Sequence, residues 1–188
     1  MRRLIHTAAL LHLAACATTP TRPAAPAVSL PVLELSPAAF GETVSLAQNL
    51  SFAHDADPEG PRSLEALLEI DTSALRLAGF MLGRRVFTMQ WDGTVLAEQR
   101  DPHVPAQLQS RQVLRDVQLV YWPAEALRSA LPPGWTLEES PGRRALLETG
   151  REWVTVRYDG EPRHVGRAEL LNHAEHYRLT IESRPADE

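Results

Sequence analysis

The chain has 188 residues, a formal net charge of −5, and an apolar fraction of 44%. That is enough chain for one domain with its own core. All 19 basic residues are arginine and none forms a run beyond pairs such as Arg84-Arg85 and Arg143-Arg144. This argues against nucleic acid, whose binding rests on phosphate neutralisation, and against electrostatic adhesion to a membrane surface.

The N-terminus has the layout of a secretory signal. Met1-Arg2-Arg3 is a basic head, Leu4 to Ala15 is a short and almost uncharged run, and small residues close it. The run falls well short of the ~20 apolar residues that span a bilayer. Leu13-Ala14-Ala15-Cys16 looks like a lipobox, and Cys16 is the single cysteine of the chain. We therefore expect residues 1–15 to be a lipoprotein signal peptide, with Cys16 acylated. Acylation removes an unpaired thiol from an exported chain. The loss of Arg2 and Arg3 would take the net charge of −5 to −7. Ala17, in place of an aspartate, favours the outer membrane. The expected location is its periplasmic face.

Residues 16–38 read as the lipidated cysteine and a Pro/Ala-rich tether. Pro20, Pro23, Pro26, Pro31 and Pro37 favour extended geometry, at ~3.1 Å per residue. The folded domain is expected over residues 39–184.

Within that domain the pattern is β. Val44, Leu46, Leu50 and Phe52 alternate on one face, with polar Gln48 as the exception. Asp57 to Pro61 forms a turn, and Leu64 to Ile70 is a second strand. Leu75–Phe80, Arg85–Trp91 and Thr94–Gln99 follow, with Asp92-Gly93 as a hairpin signal. Short turns between successive strands mean an antiparallel meander. The rhythm then breaks. Pro102–Pro105 reads as a loop, and Ala106–Val120 carries Leu108, Val113, Leu114 and Val117 at near-helical spacing. Residues 117–122 also alternate, which leaves the helix end open. Pro123 opens a second helix to Leu131, stopped by Pro132-Pro133-Gly134. The meander resumes with Trp135–Glu139, Arg144–Glu148, Glu152–Asp159, Val165–Asn172 and Tyr177–Ser183, and Asp159-Gly160 is read as a hairpin turn. The expected fold is mainly β (α+β). It is an incomplete antiparallel barrel of about ten strands, with helices inserted mid-chain to cover its mouth.

Motifs for chemistry are sparse. There is no Gly-rich phosphate loop and no Gly-x-Ser-x-Gly elbow. His173 and His176 lie three apart with Glu175 between them, and read as hairpin histidines rather than as a metal site. Glu138 and Glu139 face opposite ways on a strand and make a poor acid/base pair. We expect no enzymatic activity and no cofactor.

The segment Phe80-Met81-Leu82-Gly83, followed by Arg84-Arg85, is unusual. A strand connection should be polar, yet this one carries three large apolar side chains. Either Phe80 and Leu82 point inward, or the loop is exposed and touches lipid with its arginines near phosphate.

Two stretches carry a family resemblance. They are Leu77-Ala78-Gly79-Phe80-Met81-Leu82-Gly83-Arg84-Arg85-Val86-Phe87-Thr88-Met89-Gln90-Trp91-Asp92-Gly93, and Val113-Leu114-Arg115-Asp116-Val117-Gln118-Leu119-Val120-Tyr121-Trp122-Pro123. With the lipobox and the length, they resemble the DUF3261 lipoproteins, which are similar in layout to LolB, the outer-membrane receptor of lipoprotein sorting. The resemblance implies an acyl-chain cavity, a helical lid, and a protruding loop whose exposed leucine enters the membrane. By position Leu82 or Phe80 would be that leucine. It also implies company with aryl-polyene-type lipid pathways and a LolA-like periplasmic carrier. Leu46, Leu68, Leu77 and Phe87 are candidates to line the cavity, with Tyr121 and Trp122 near the lid's hinge. The leading expectation is a module that accepts an acyl-chain-bearing lipid or lipoprotein and delivers it to the bilayer. The alternatives are an assembly lipoprotein that scaffolds a protein partner, and a hydrolase with an unrecognised site.

Overall fold

The computed structural model describes residues 28–57, 60–102 and 109–187. The expected signal peptide, Cys16 and the first part of the tether lie outside the described residues.

Ten strands form one antiparallel sheet. They are β1 (Val44–His54), β2 (Arg62–Ile70), β3 (Leu75–Met81), β4 (Arg84–Trp91), β5 (Leu96–Arg100), β6 (Trp135–Ser140), β7 (Arg143–Glu148), β8 (Arg151–Asp159), β9 (Gly166–Asn172) and β10 (Tyr177–Pro185). Their order is β5-β4-β3-β2-β1-β10-β9-β8-β7-β6. Two five-strand meanders are thus joined where the first strand meets the last, with Leu46 opposite Pro185 and His54 opposite Tyr177. β5 and β6 remain as edges, so the barrel is incomplete. Between them the chain forms α1 (Ser110–Tyr121) and α2 (Ala124–Ala130). Trp122 is already extended before Pro123, as the clash of a proline ring with the preceding residue requires. Pro123 caps α2 and is not its first helical residue.

The sheet wraps around α1. Side chains of that helix reach β1 and β10, and side chains of β7 and β8 reach its backbone, which only a concave face allows. Alternation puts Leu46, Leu68, Ile70, Leu75, Leu77, Phe87, Met89, Trp91, Leu170 and Ile181 on this face, where they are buried with Leu114, Leu119, Trp122 and Leu127. Gln48 breaks the apolar stripe of β1 without being exposed. Its Nε2 donates to Tyr121 Oη at 2.8 Å and Ser183 Oγ at 2.9 Å, so the buried amide is satisfied.

Three further departures from expectation bear on the packing. Asp92-Gly93 is not a two-residue hairpin: Asp92 Oδ1 accepts the amides of Thr94 and Val95, and β5 starts only at Leu96. This local bonding by an aspartate competes with strand pairing. Asp159-Gly160 likewise opens a longer connection, because β9 starts at Gly166. The third is the tether. Expected to run to residue 38, it gives way earlier to packed chain: Leu30, Leu33, Pro37 and Phe40 are buried, Leu33 to 1% exposure. Residues 28–36 form a strap beside α1. Gln118 pairs with Leu35 in both directions, accepting its N–H at 3.1 Å and donating to its carbonyl at 3.0 Å. Trp91 Nε1 donates to Leu35 O at 2.8 Å, and Trp122 Nε1 to Ser36 O at 3.3 Å. A proline-rich stretch lacks donors for a ladder, but it still offers carbonyls and leucines to a groove.

Candidate functional site

β3 runs to Met81, which pairs with Arg84, so the connection to β4 is only Leu82-Gly83. Both residues have positive φ, +51° and +72°. That is the form a two-residue hairpin takes to match strand twist, and asparagine or glycine normally supplies its first position. A leucine there costs roughly 1–2 kcal/mol of backbone energy. Its side chain gains nothing from the fold in return, being 98% exposed. Met81 beside it is 44% exposed, Arg84 and Arg85 are exposed, and Phe80 is half-buried on the outer face of the sheet. The expectation of an inward Leu82 is thereby excluded. No helix among the described residues is long and apolar enough to cross a membrane.

Behind the tip, the outer face carries a cleft of about 920 Å³ that reaches from Gly83 and Phe80 across Leu67, Ala47 and Asn49 to Arg167 and Asp159. Glu65 and Glu182 also line it, so it is mixed in charge.

The concave face is covered. Leu46, Leu68, Leu77 and Phe87 are buried against the helices, and Tyr121 and Trp122 form the elbow between α1 and α2. Polar ties hold α1 down from its middle to its end. At its middle, Arg115 grips the Glu175 carboxylate with two guanidinium nitrogens at 2.8 and 2.7 Å, and Tyr177 Oη donates to Asp116. At its end the free carbonyls of Leu119 and Val120 are taken by Arg144 Nη1 and Tyr158 Oη, each at 2.7 Å. These are carbonyls that a helix C-terminus leaves unpaired, and a cation there also suits the helix dipole. Arg144 is itself held by Glu139, which a second guanidinium, Arg163, also reaches at 2.5 Å.

The family model of a protein of unknown function, DUF3261, matches residues 45–185. The chain belongs to the DUF3261 family. A comparison with curated proteins finds no match.

In this DUF3261 protein the polar residues inside α1 escaped the sequence reading. Helical spacing pointed to Val113 and Val117, yet both are only partly buried, whereas Arg115, Asp116 and Gln118 are buried. Leu108, assigned to the same stripe, lies outside the described residues. The available signal was the dense mixture of polar and apolar residues over 114–122. The buried side of α1 mixes Leu114, Leu119 and Val120 with Arg115, Asp116 and Gln118, so those polar groups must find their partners inside. The histidines His54, His173 and His176 gather with Asp55 around a shallow hollow at the β9–β10 turn. Among the described residues no group of three His, Cys, Asp or Glu is placed to hold a metal.

Burial pushes the Asp116 carboxyl up to about 6, against the pull of Arg115 and the Tyr177 hydroxyl. Burial likewise raises Tyr177 and Tyr121, and pushes Tyr158 up to about 12. An acid whose pKa is higher in the folded state binds its proton more readily when folded. Its contribution to stability is therefore greatest below the ordinary value of 3.8 and falls away as pH rises through about 6. We expect the stability of the wild type relative to Asp116→Asn to be roughly 2–3 kcal/mol greater at pH 4 than at pH 7.5. Thermal melts of both proteins across that range check this. A difference that does not change with pH would show that Asp116 is ionised throughout.

Proposed function

We propose that this DUF3261 protein is a non-enzymatic lipid- or lipoprotein-handling module. Acyl chains on Cys16 hold it at the periplasmic face of the outer membrane. The hairpin tip enters the bilayer, and the helix-covered barrel deals with an acyl-chain-bearing cargo that arrives from a soluble LolA-like carrier. An aryl-polyene-type product fits this chemistry. The single observation that carries the reading is Leu82, which is fully exposed in a backbone conformation unfavourable to leucine. Strain at an exposed apolar residue is retained where the surrounding fold enforces it for use. Met81 extends the apolar tip, and Arg84 and Arg85 stand where phosphate headgroups would lie.

The test uses the full chain with Cys16→Ser, so that the anchor contributes no binding, and vesicles of phosphatidylethanolamine and phosphatidylglycerol. Burying a leucine is worth about 1.5–3 kcal/mol. Leu82→Asp should therefore lower vesicle binding by roughly tenfold or more, while thermal stability should be no lower than that of wild type, because Asp-Gly suits this turn better than Leu-Gly. Equal binding by the two proteins would refute insertion of the tip.

A second reading is favoured by the covered concave face. A barrel packed shut by α1 suits a scaffold that binds a protein partner and no lipid. Uptake of a fluorescent fatty acid separates the two.

A further inference from the structure

The strap is an extended chain that belongs to no strand pair of the sheet. Its side chains alternate nonetheless: Leu33, Leu35 and Pro37 turn inward, while Val32, Glu34 and Ser36 turn to solvent. Its backbone is held by side chains, namely the Gln118 amide and the Trp91 and Trp122 indoles. This is the way a groove holds a separate extended ligand. The groove has one wall from β4 and one from α1. Elsewhere the concave face is full, with Leu68, Leu114, Trp122 and Leu127 at 0% exposure. A long apolar guest has no room there unless something already present leaves.

We propose that the strap is a built-in occupant of the acyl site. Resting on the lipid-handling reading above, the cargo's acyl chain takes the groove between Trp91 and α1 that Leu30, Leu33 and Leu35 now fill. Release of the strap is the step that opens it. Three features suit the strap to leave. Its outer residues are exposed, Val32 at 67%. None of its bonds belongs to a sheet ladder, so its departure leaves the barrel intact. It also engages the largely exposed Arg111 in an ion pair with Glu34. Once freed, that guanidinium would meet an anionic head at the groove's end, either a carboxylate or a phosphate.

The test fixes the strap in place. In the full chain with Cys16→Ser, Glu34→Cys and Arg111→Cys are joined by a short bis-maleimide. The reference is the same variant with both thiols capped singly. Binding of a fluorescent sixteen-carbon fatty acid should fall at least tenfold in the cross-linked protein. Leu33→Ser, which loosens the strap, should bind several-fold more tightly than wild type. If cross-linked and capped proteins bind the probe equally, the acyl site is elsewhere and the strap proposal fails while lipid handling stands. If no form binds, including a Leu33→Ser protein with a cooperative melt, lipid handling fails and takes the strap proposal with it. Should Leu33→Ser not fold, the cross-linked pair still decides. A phosphorylated lipid analogue run beside the fatty acid distinguishes the two kinds of head.

Discussion

Arg144→Ala is expected to lower stability by roughly 3 kcal/mol, the lower edge of the range for breaking a buried ion pair. The side chain is 1% exposed and has three jobs. It neutralises Glu139, it satisfies the Leu119 carbonyl at the end of α1, and its stem fills space between β7 and the helix. The effect stays at the lower edge because Arg163 still reaches Glu139 and prevents a fully unpaired charge. Removal nonetheless leaves a buried carbonyl without a donor, which carries its own desolvation penalty. For a chain of this length the melting temperature should fall by roughly 6–12 °C. Arg144→Lys keeps the charge but cannot reach Glu139 and Leu119 at once, so it should fall in between. Urea titrations check this through a lower midpoint at unchanged slope. A loss under about 1 kcal/mol would mean that the Arg144 tie adds little to what the other contacts of α1 provide.

Trp122→Ala is expected to cost about 3–5 kcal/mol, as for other large aromatic residues removed from a core. Trp122 is 0% exposed and sits at the elbow between the helices, with its ring 5.2 Å from that of Phe40. Its indole N–H bonds the strap at Ser36. Trp122→Phe keeps an aromatic partner for Phe40 and loses the hydrogen bond and part of the ring, so about 1–2 kcal/mol is expected. Amide exchange gives a second readout. In Trp122→Ala the protection of residues 35–39 should fall before that of β1 and β10, because the strap and its turn lose two of their supports while the central strands lose none. Uniform loss across the sheet would contradict that order.

Most of the sheet could be read in the sequence, and the reason is physical. β2 and β3 bury one face, so Leu64–Ile70 announces itself by its side-chain period, whereas β7 and β8 each bury four consecutive residues and Trp153–Val156 stands out by its β-branched and aromatic content. The turns were less legible, because an aspartate can either start a two-residue hairpin or bond the next amides itself, as Asp92 does. Interior polar groups were not legible at all. Gln48 stood out as an exception to the stripe of β1, but its partners Tyr121 and Ser183 are 73 and 135 residues away, and no local pattern points to them. Arg144 and its bond to Leu119 pose the same difficulty. The strap was hidden for another reason. Its prolines suggest chain that does not pack, whereas Leu30 and Leu33 are anchored by a helix that comes some eighty residues later, as the Leu35–Gln118 pair illustrates. The tip was readable because it breaks a rule. Three apolar residues at a hairpin are conspicuous in sequence, although only the structure separates Leu82, pointing outward, from Phe80, lying on the sheet.

The pairing of β1 with β10 has a consequence for how the chain is made. Every other strand pair of the sheet joins neighbours in sequence, so each half can zip up from local hairpins as the chain is made. The one long-range seam needs Val44–His54 and Tyr177–Pro185 together. It can close only when the last residues have emerged. Until then the first half exposes the edge of β1, a row of unpaired amides and carbonyls that invites wrong partners. A nascent or C-terminally shortened chain would therefore present a sticky edge in an unfinished half-barrel, and the final nine-residue strand decides whether the two halves join or a precursor for aggregation remains.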